Sequence, residues 1–407
     1  MTPREFAIDV VRRLRQAGYE ALWAGGCVRD QLLGRRPKDY DVATSAKPKE
    51  IRDVFGRGRT LPIGAQFGVI TVVGPKSAGQ IEVATFREDA EYSDGRHPDA
   101  VVFSSAEADA QRRDFTINGL FYDPLEERVI DYVGGLEDLA QQRIRAIGSA
   151  DERIAEDKLR MLRAVRFAAT FDFQLDAATM SAVVRNSEQI TVVSPERIVA
   201  ELRRMWDHAN LAIAMEKLID SRLLKSILPA ASLFDDKDHR EQLLQRLRRI
   251  SNPAFETVLA IALLPLDYPP EQIRDELAYE WRMTNEESRV ITHQIQYRDP
   301  LLAADQIPWP QLQRILINRD VKWLLEFAAA TADCADQTTA VEHARQKLQL
   351  PPELLNPKPL ISGNELLDLG LEPGPKIKEI LYAIRDAQLE QIVASPEEAI
   401  ALARELM

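Results

Sequence analysis

The chain has 407 residues, too many for one ordinary core, so two to four domains are expected. Its 52 basic and 64 acidic residues give a net charge of −12, which excludes a general polycation coating nucleic acid but leaves room for a local basic groove. Five histidines and two cysteines (Cys27 and Cys334) supply neither zinc-ligand spacing nor a disulfide framework, and no apolar run approaches membrane-spanning length.

Residues 5–18 read as an amphipathic helix, with Phe6, Val10, Val11 and Leu14 on one face and Gly18 as its stop. Charges every few residues exclude a signal peptide there, and the expected setting is the cytoplasm. Short β-like runs follow at 21–24, 39–43, 68–73, 80–86 and 100–103, and a helix with a proline near its first turn is expected over 47–55. From about residue 150 the periodicity is helical. Breaks are expected near Pro229, Pro253, 265–270, Pro300 and 308–310, and LPPELLNPKPLISG (350–363) reads as a linker. The expected class is α+β: an N-terminal head of mixed sheet with helices, followed by helices alone.

Chemistry concentrates in four stretches. The first, GGCVRDQLLGRRPKDYDVAT (25–44), opens on a glycine pair, Gly25 and Gly26, where no Cβ blocks the approach of a ligand. It closes on Asp39 and Asp41, which at i and i+2 of an extended segment share one face. A D-x-D triplet alone reads as a solvated turn. Preceded by the glycines and Arg29, it points to a phosphate-plus-magnesium site, because two adjacent carboxylates repel unless a hard cation sits between them.

The second stretch, RRDFTING (112–119), sets two arginines, Arg112 and Arg113, beside Asp114 and Asn118, a set that could grip triphosphate and ribose hydroxyls because guanidinium matches phosphate bidentately; alone it reads as a capped, salt-bridged turn. The third, DYVGGLEDL (131–139), reads as a turn into a helix that supports the site. In the fourth, EDKLRMLRAVRF (156–167), Met161, Val165 and Ala168 form an apolar stripe, with Leu162 and Ala169 beside it. Asp157 and Arg160 are i and i+3 neighbours on another face. They read either as a surface ion pair or as a base reader. Cytosine and adenine each present an amine beside a ring-nitrogen acceptor, which suits one carboxylate and one guanidinium; uracil and guanine reverse that polarity.

Taken together, the four stretches resemble the class II tRNA nucleotidyltransferase and poly(A) polymerase family over residues 20–205, with a weaker echo at 361–381. The resemblance implies a nucleotidyltransferase head (1–147), a neck of nucleotide-selecting helices (148–207), a helical body (208–350) and a tRNA-binding helical tail (351–407). It implies Asp39 and Asp41 as catalytic residues and ligands of Mg²⁺. Gly25, Gly26, Arg29, Arg113, Asp114 and Asn118 would then bind the triphosphate and ribose. Asp157 and Arg160 would read the base, with Arg163 and Arg166 in support. Glu82 is a candidate third carboxylate, and Arg112 a brace. Arg246, Arg248, Arg249, Lys376 and Lys378 are candidate phosphate contacts, each reading equally as part of a solvated helix face. The implied partners are tRNA, CTP and ATP, with no membrane and no protein partner evident.

Within that family, CCA addition leads, ahead of A-only addition and poly(A) synthesis. FREDAEYSDGRHPDAVVF (86–103) is similar to the family's flexible loop, which is shortened in CC-only enzymes; Arg87, Asp94, Gly95 and Arg96 give it charge and freedom. The arginine-rich stretch associated with bacterial poly(A) polymerases is absent after Phe167, and Asp207-His208 is the wrong order for a phosphohydrolase dyad. A non-catalytic RNA-binding protein on the same fold is the remote alternative, disfavoured by the intact Asp39 and Asp41.

Overall fold

A computed structural model describes residues 1–89, 101–250 and 254–407. Two compact units, Met1–Asp236 and Lys237–Met407, group the chain. The expected boundaries at 147/148, 207/208 and 350/351 fall inside these units rather than between them.

The first unit begins with α1 (Pro3–Gln16). Thr2 and Glu5 cap its first turn reciprocally, and its buried stripe is Phe6, Ala7, Val10, Val11 and Leu14. There follow β1 (Ala21–Ala24), α2 (Gly26–Leu32), β2 (Asp41–Thr44), α3 (Pro48–Phe55), β3 (Thr60–Leu61), β4 (Val69–Val73) and β5 (Gln80–Thr85). Next are β6 (Arg87–Asp89), β7 (Val101–Phe103), α4 (Ala106–Gln111), β8 (Phe121–Asp123), β9 (Arg128–Ile130) and α5 (Gly135–Ala140). Then come β10 (Arg143–Ile144), α6 (Ala150–Glu156), α7 (Arg160–Phe171), β11 (Gln174–Leu175), α8 (Ala177–Asn186) and α9 (Pro195–His208).

Seven strands form one sheet in the order β3-β4-β5-β2-β1-β8-β9. β2 pairs antiparallel with β1 and parallel with β5, in a register that sets Asp41 opposite Glu82. Leu22, Ala24, Ala43, Phe86, Ala106, Ala110 and Phe121 form a buried cluster of the head, so β1, β2 and α4 are anchored in one core. β6 and β7 make a separate two-stranded ribbon at the base of the expected flexible loop. Asp94, Gly95 and Arg96 lie outside the described residues.

DYVGGLEDL folds as a support. The Asp131 carboxylate accepts the N–H groups of Val133, Gly134, Gly135 and Leu136 at 2.9–3.1 Å, capping α5. A Cβ on Gly135 would stand 2.3 Å from the Thr116 carbonyl, so glycine lets α5 close against the RRDFTING turn. Buried Asp138 then accepts the Thr116 hydroxyl at 2.6 Å and Arg145 Nε at 2.8 Å.

The second unit is helical. Its apolar clusters include one around Leu312, Leu316, Leu324, Ala328 and Val341 and another around Ile361, Leu366, Ile380, Ile384 and Ala403. Residues 350–363 are more closely tied down than a free linker. Pro352–Leu355 is a short helix, and Arg385 donates to the Pro357 carbonyl at 2.6 Å and to Asn356 Oδ1 at 2.7 Å. Pro300 lies inside Asn285–Leu302, which continues two residues past it without that N–H donor, so the break expected near Pro300 falls just beyond it.

Two of the candidate phosphate contacts make bonds within the unit. Arg246 is buried and donates to Asp333 at 2.9 Å, and Arg249 donates to the Ala332 carbonyl; together they staple Lys237–Arg248 to the end of Val321–Thr331. Arg248 pairs with Glu241 at 3.0 Å, and Lys376 reaches the Met407 carbonyl. Lys378 remains exposed beside the Tyr382 ring.

Candidate active site

A cleft of about 570 Å³ lies in the first unit, lined by Gly25, Gly26, Arg29, Asp41, Arg112, Arg113, Asp114, Asn118, Asp157, Leu159, Arg160, Arg163, Phe167 and Arg197. Ten of the twelve residues expected at the site line it. The exceptions are Asp39 and Arg166. Asp39 is exposed in the bend before β2, which starts at Asp41 and not at residue 39, so strand alternation does not place the two carboxylates. Asp39 still acts on Asp41 through its charge. Arg166 turns away to buried Glu201 on α9 and stacks 4.0 Å from the Phe167 ring centroid.

The glycine pair does what its backbone freedom allows. Gly25 has φ of +69°, and a Cβ there would lie 2.8 Å from Arg113 Nη1, so the guanidinium lies directly over the main chain. Cys27, next in α2, is buried, and that burial pushes its thiol up to about 11; it stays protonated and offers no nucleophile.

Six arginines line the cleft, and each is held by a carboxylate. Arg29 pairs with Asp30 at 2.7 Å, and Arg112 and Arg113 with Asp109 at 2.7 and 2.8 Å. Arg160 pairs with Glu156 at 2.5 Å, Arg163 with Asp114 at 2.5 Å, and Arg197 with Asp157 at 2.9 Å. Asp41 is different: among the described residues its carboxylate makes no hydrogen bond or ion pair. Although open to solvent on one side, it is hemmed in by protein, and that desolvation raises its pKa to about 6. Facing Glu82 adds to the rise, Arg113 opposes it, and Asp39 adds a little more. The site concentrates unbalanced negative charge at one oxygen-donor group.

Those donors fit a hard divalent ion. No group of three His, Cys, Asp or Glu side chains is placed to hold a metal among the described residues, so Glu82 does not complete a protein cage. Magnesium does not require one, since it binds through one or two carboxylates plus substrate phosphates and water.

Asp114 links the two sides of the cleft. It accepts Arg163 Nε at 2.9 Å, Asn118 Nδ2 at 3.0 Å and the Phe115 N–H at 2.8 Å, while Asn118 Oδ1 takes Arg29 Nη1 at 2.6 Å. Burial alone would raise the Asp114 pKa, but Arg163, Asn118 and the Phe115 N–H outweigh it and hold it at about 2. Asp114→Asn should therefore cost about 2 kcal/mol near neutral pH, from a pKa lowered from 3.8 to about 2. Because the folded pKa is depressed, that contribution is full above pH 4 and lost as pH falls through about 2. Urea unfolding at pH 7 and pH 3 should show the gap between wild type and variant narrowing.

Asp157 and Arg160 meet the cleft across a helix break, not along one helix face. Asp157 ends α6 with extended backbone (φ −146°, ψ 108°), and its Oδ1 accepts the Leu159 N–H at 3.0 Å at the start of α7. Its partner Arg197 comes from α9. The apolar stripe of α7 is buried as its periodicity implies, with Met161, Leu162, Val165, Ala168 and Ala169 all inside. Sequence reasoning missed Asp109, Glu156 and Arg197. The first two carried a signal: Asp109 stands three and four residues before its arginines, and Glu156 four before Arg160. Arg197 carried none.

The sheet head, a carboxylate unpaired among the described residues, and a carboxylate–guanidinium couple in the same cleft fit the class of a nucleotide-transferring enzyme. Residues 21–145 match the model of the poly A polymerase head domain, 172–234 that of the probable RNA and SrmB-binding site of polymerase A, and 253–403 that of tRNA nucleotidyltransferase domain 2. The CCA-adding enzyme of Lactobacillus helveticus is 32% identical over 97% of this chain and 95% of its own, and that of Geobacillus kaustophilus 33% identical over 98% and 96%. The structure is similar to that of the Bacillus stearothermophilus CCA-adding enzyme in complex with CTP, with a TM-score of 0.78 and 26% identity over 100% of this chain and 98% of that one. The chain belongs to the tRNA nucleotidyltransferase and poly(A) polymerase family and is a nucleotidyltransferase.

Proposed function

We propose that the protein adds CCA to the 3′ ends of tRNA from CTP and ATP, without a nucleic-acid template, releasing pyrophosphate. The observation that carries this reading is the meeting of two sets of residues in one cleft: Asp41, unpaired among the described residues, with fixed arginines, and Asp157 with Arg160. The full-length likeness to CCA-adding enzymes supports it.

In this reading Arg113 and Arg29 receive the triphosphate, their forks already oriented, so little ordering cost falls on substrate binding. Gly25 and Gly26 let the phosphates approach the main chain, and Asn118 and Asp114 set the ribose. Arg163 is held by Asp114, and Arg166 supports α7 from behind through Glu201. The RNA 3′-hydroxyl attacks the α-phosphate in line; its oxygen forms the new ester bond as the bond to pyrophosphate breaks. Asp41, with Asp39 at the rim, would hold Mg²⁺. When bound there, Mg²⁺ supplies charge that lowers the pKa of the attacking hydroxyl and neutralises the leaving pyrophosphate. Asp157 accepts the exocyclic amine of cytosine or adenine, and Arg160 donates to the ring nitrogen.

The four-part division into head, neck, body and tail fits this use of the chain, with Lys378 left as an exposed tail cation for RNA phosphate. A cytoplasmic setting agrees with two unpaired cysteines; no described helix is long and apolar enough to cross a membrane.

The test uses three RNAs: tRNA ending before CCA, tRNA ending after CC, and an unrelated RNA, each with labelled CTP and ATP read on a sequencing gel. Addition of C, C and A to the first and of A to the second, with nothing added to the third, is expected. Unlimited A addition to all three would make it a poly(A) polymerase, and A addition only after CC an A-adding enzyme.

A further inference from the structure

Asp109 is the most heavily engaged carboxylate around the cleft, yet it does not line it. It is 1% exposed, at the buried side of α4. Its Oδ2 accepts Arg113 Nε and Nη2 at 3.2 and 2.8 Å, and its Oδ1 accepts Arg112 Nε and Nη2 at 2.9 and 2.7 Å. Oδ1 also accepts the Arg87 N–H at 3.3 Å, and Arg112 Nε is 3.1 Å from the Arg87 carbonyl. One carboxylate thus fixes two arginines and the first residue of the β6–β7 ribbon. Arg113 keeps one further nitrogen, Nη1, on the Asn118 carbonyl at 3.2 Å.

Arg113 and Asp41 share the cleft, and Arg113 is near enough to act on the Asp41 charge. A guanidinium released there has one obvious destination, since Asp41 is the lining carboxylate without an arginine of its own. An Arg113–Asp41 ion pair would close the site by itself: it would occupy the carboxylate needed by a cation and the guanidinium needed by a phosphate.

We propose that Asp109 is a positioning residue that prevents this collapse, holding Arg113 off Asp41 so that the carboxylate stays open to a divalent ion and the arginine to the triphosphate. The same carboxylate fastens the ribbon base beside that arginine, so the ribbon and the phosphate contact share one anchor. This inference rests on the metal role of Asp41 proposed above, but not on which RNA or nucleotide is used.

The full-length protein and its Asp109→Asn, Arg113→Ala and double variants are compared by Mn²⁺ binding, with free Mn²⁺ followed by electron paramagnetic resonance without nucleotide. The half-saturating Mg²⁺ for CTP addition is measured in parallel. Asp109→Asn should weaken Mn²⁺ binding about tenfold and raise the Mg²⁺ requirement in step, while Arg113→Ala binds Mn²⁺ at least as well as the unaltered protein. The decisive result is the double variant, in which removal of the freed guanidinium should restore Mn²⁺ binding to the Arg113→Ala level. A purely structural role would leave the double variant as weak as Asp109→Asn, and that result, or unchanged Mn²⁺ binding in a folded Asp109→Asn protein, overturns the proposal. If Asp109→Asn has no cooperative melting transition, Arg113→Ala alone decides. Mn²⁺ binding as tight as before with a CTP KM raised tenfold supports the division of charges, and weaker Mn²⁺ binding overturns it. Failure of the unaltered protein to add CTP or ATP would sink the proposed function and leave the Mn²⁺ ranking as the test. Absence of any Mn²⁺ binding by the unaltered protein would overturn this inference as well.

Discussion

Asp41→Asn is expected to lower nucleotide incorporation by about a thousandfold or more while leaving RNA binding nearly intact. Asparagine keeps the shape and removes the charge, so the effect isolates the electrostatic role of the one cleft carboxylate that has no guanidinium of its own. Single-turnover extension with saturating CTP measures the loss, and gel-shift titration of tRNA measures binding. Activity within tenfold of wild type would sink the assignment. The same substitution should also stabilise the metal-free protein. Asp41 has its pKa raised from 3.8 to about 6, so in the folded state it is ionised at a cost that the unfolded chain does not bear. That cost is absent below pH 4, grows as pH rises through about 6, and is full above it. The variant's advantage should follow the same course and reach about 1 kcal/mol at pH 7, a modest figure because solvent reaches the group. Gain of stability with loss of function is the signature of a site whose strain serves its chemistry.

Arg160→Ala is expected to relax selection rather than abolish reaction. Discrimination of CTP and ATP against UTP and GTP should fall by about a hundredfold, the worth of one well-placed two-point polar contact. Asp157 should remain in place, because Arg197 and the Leu159 N–H hold it independently of Arg160. The variant should therefore retain slow CTP and ATP use with a raised KM, while UTP use rises in relative terms. Competition assays with paired nucleotides on tRNA lacking CCA give the ratio directly. Unchanged rejection of UTP and GTP would refute the base-reader role.

What the sequence made legible was local. The glycine pair, the RRDFTING turn, the apolar stripe of α7 and most strands of the head follow from spacing of one to seven residues, and the structure places them close to where periodicity does. Asp39 was misplaced for a local reason as well: a polar residue before a strand looks like part of it, and only the register with β5 shows that β2 begins at Asp41. Asp157 looked like a helical neighbour of Arg160 because DKLR has helical spacing; its backbone is instead extended where α6 ends, and its side chain accepts the Leu159 N–H in the turn before α7. The unread remainder is pairing at a distance. Arg197 reaches Asp157 across forty residues, Arg163 reaches Asp114 across forty-nine, and Arg246 finds Asp333 eighty-seven residues on. No pattern within a window reports such partners. They determine which arginines are free to meet a phosphate and which are already committed, so a basic stretch such as Arg246 to Arg249 reads as a nucleic-acid surface until its partners are seen.

The bond from Arg197 to Asp157 also has a consequence in time. At roughly 5–20 residues per second, a ribosome needs several seconds to travel from one residue to the other. During that interval the sheet, Asp41 and Arg29, Arg112 and Arg113 have all been synthesised, whereas Arg197, one of the two groups that hold Asp157, has not. On the roles proposed above, a growing chain can therefore assemble a place for phosphate before the choice of base is fully secured, and the last support of Asp157 arrives only with α9.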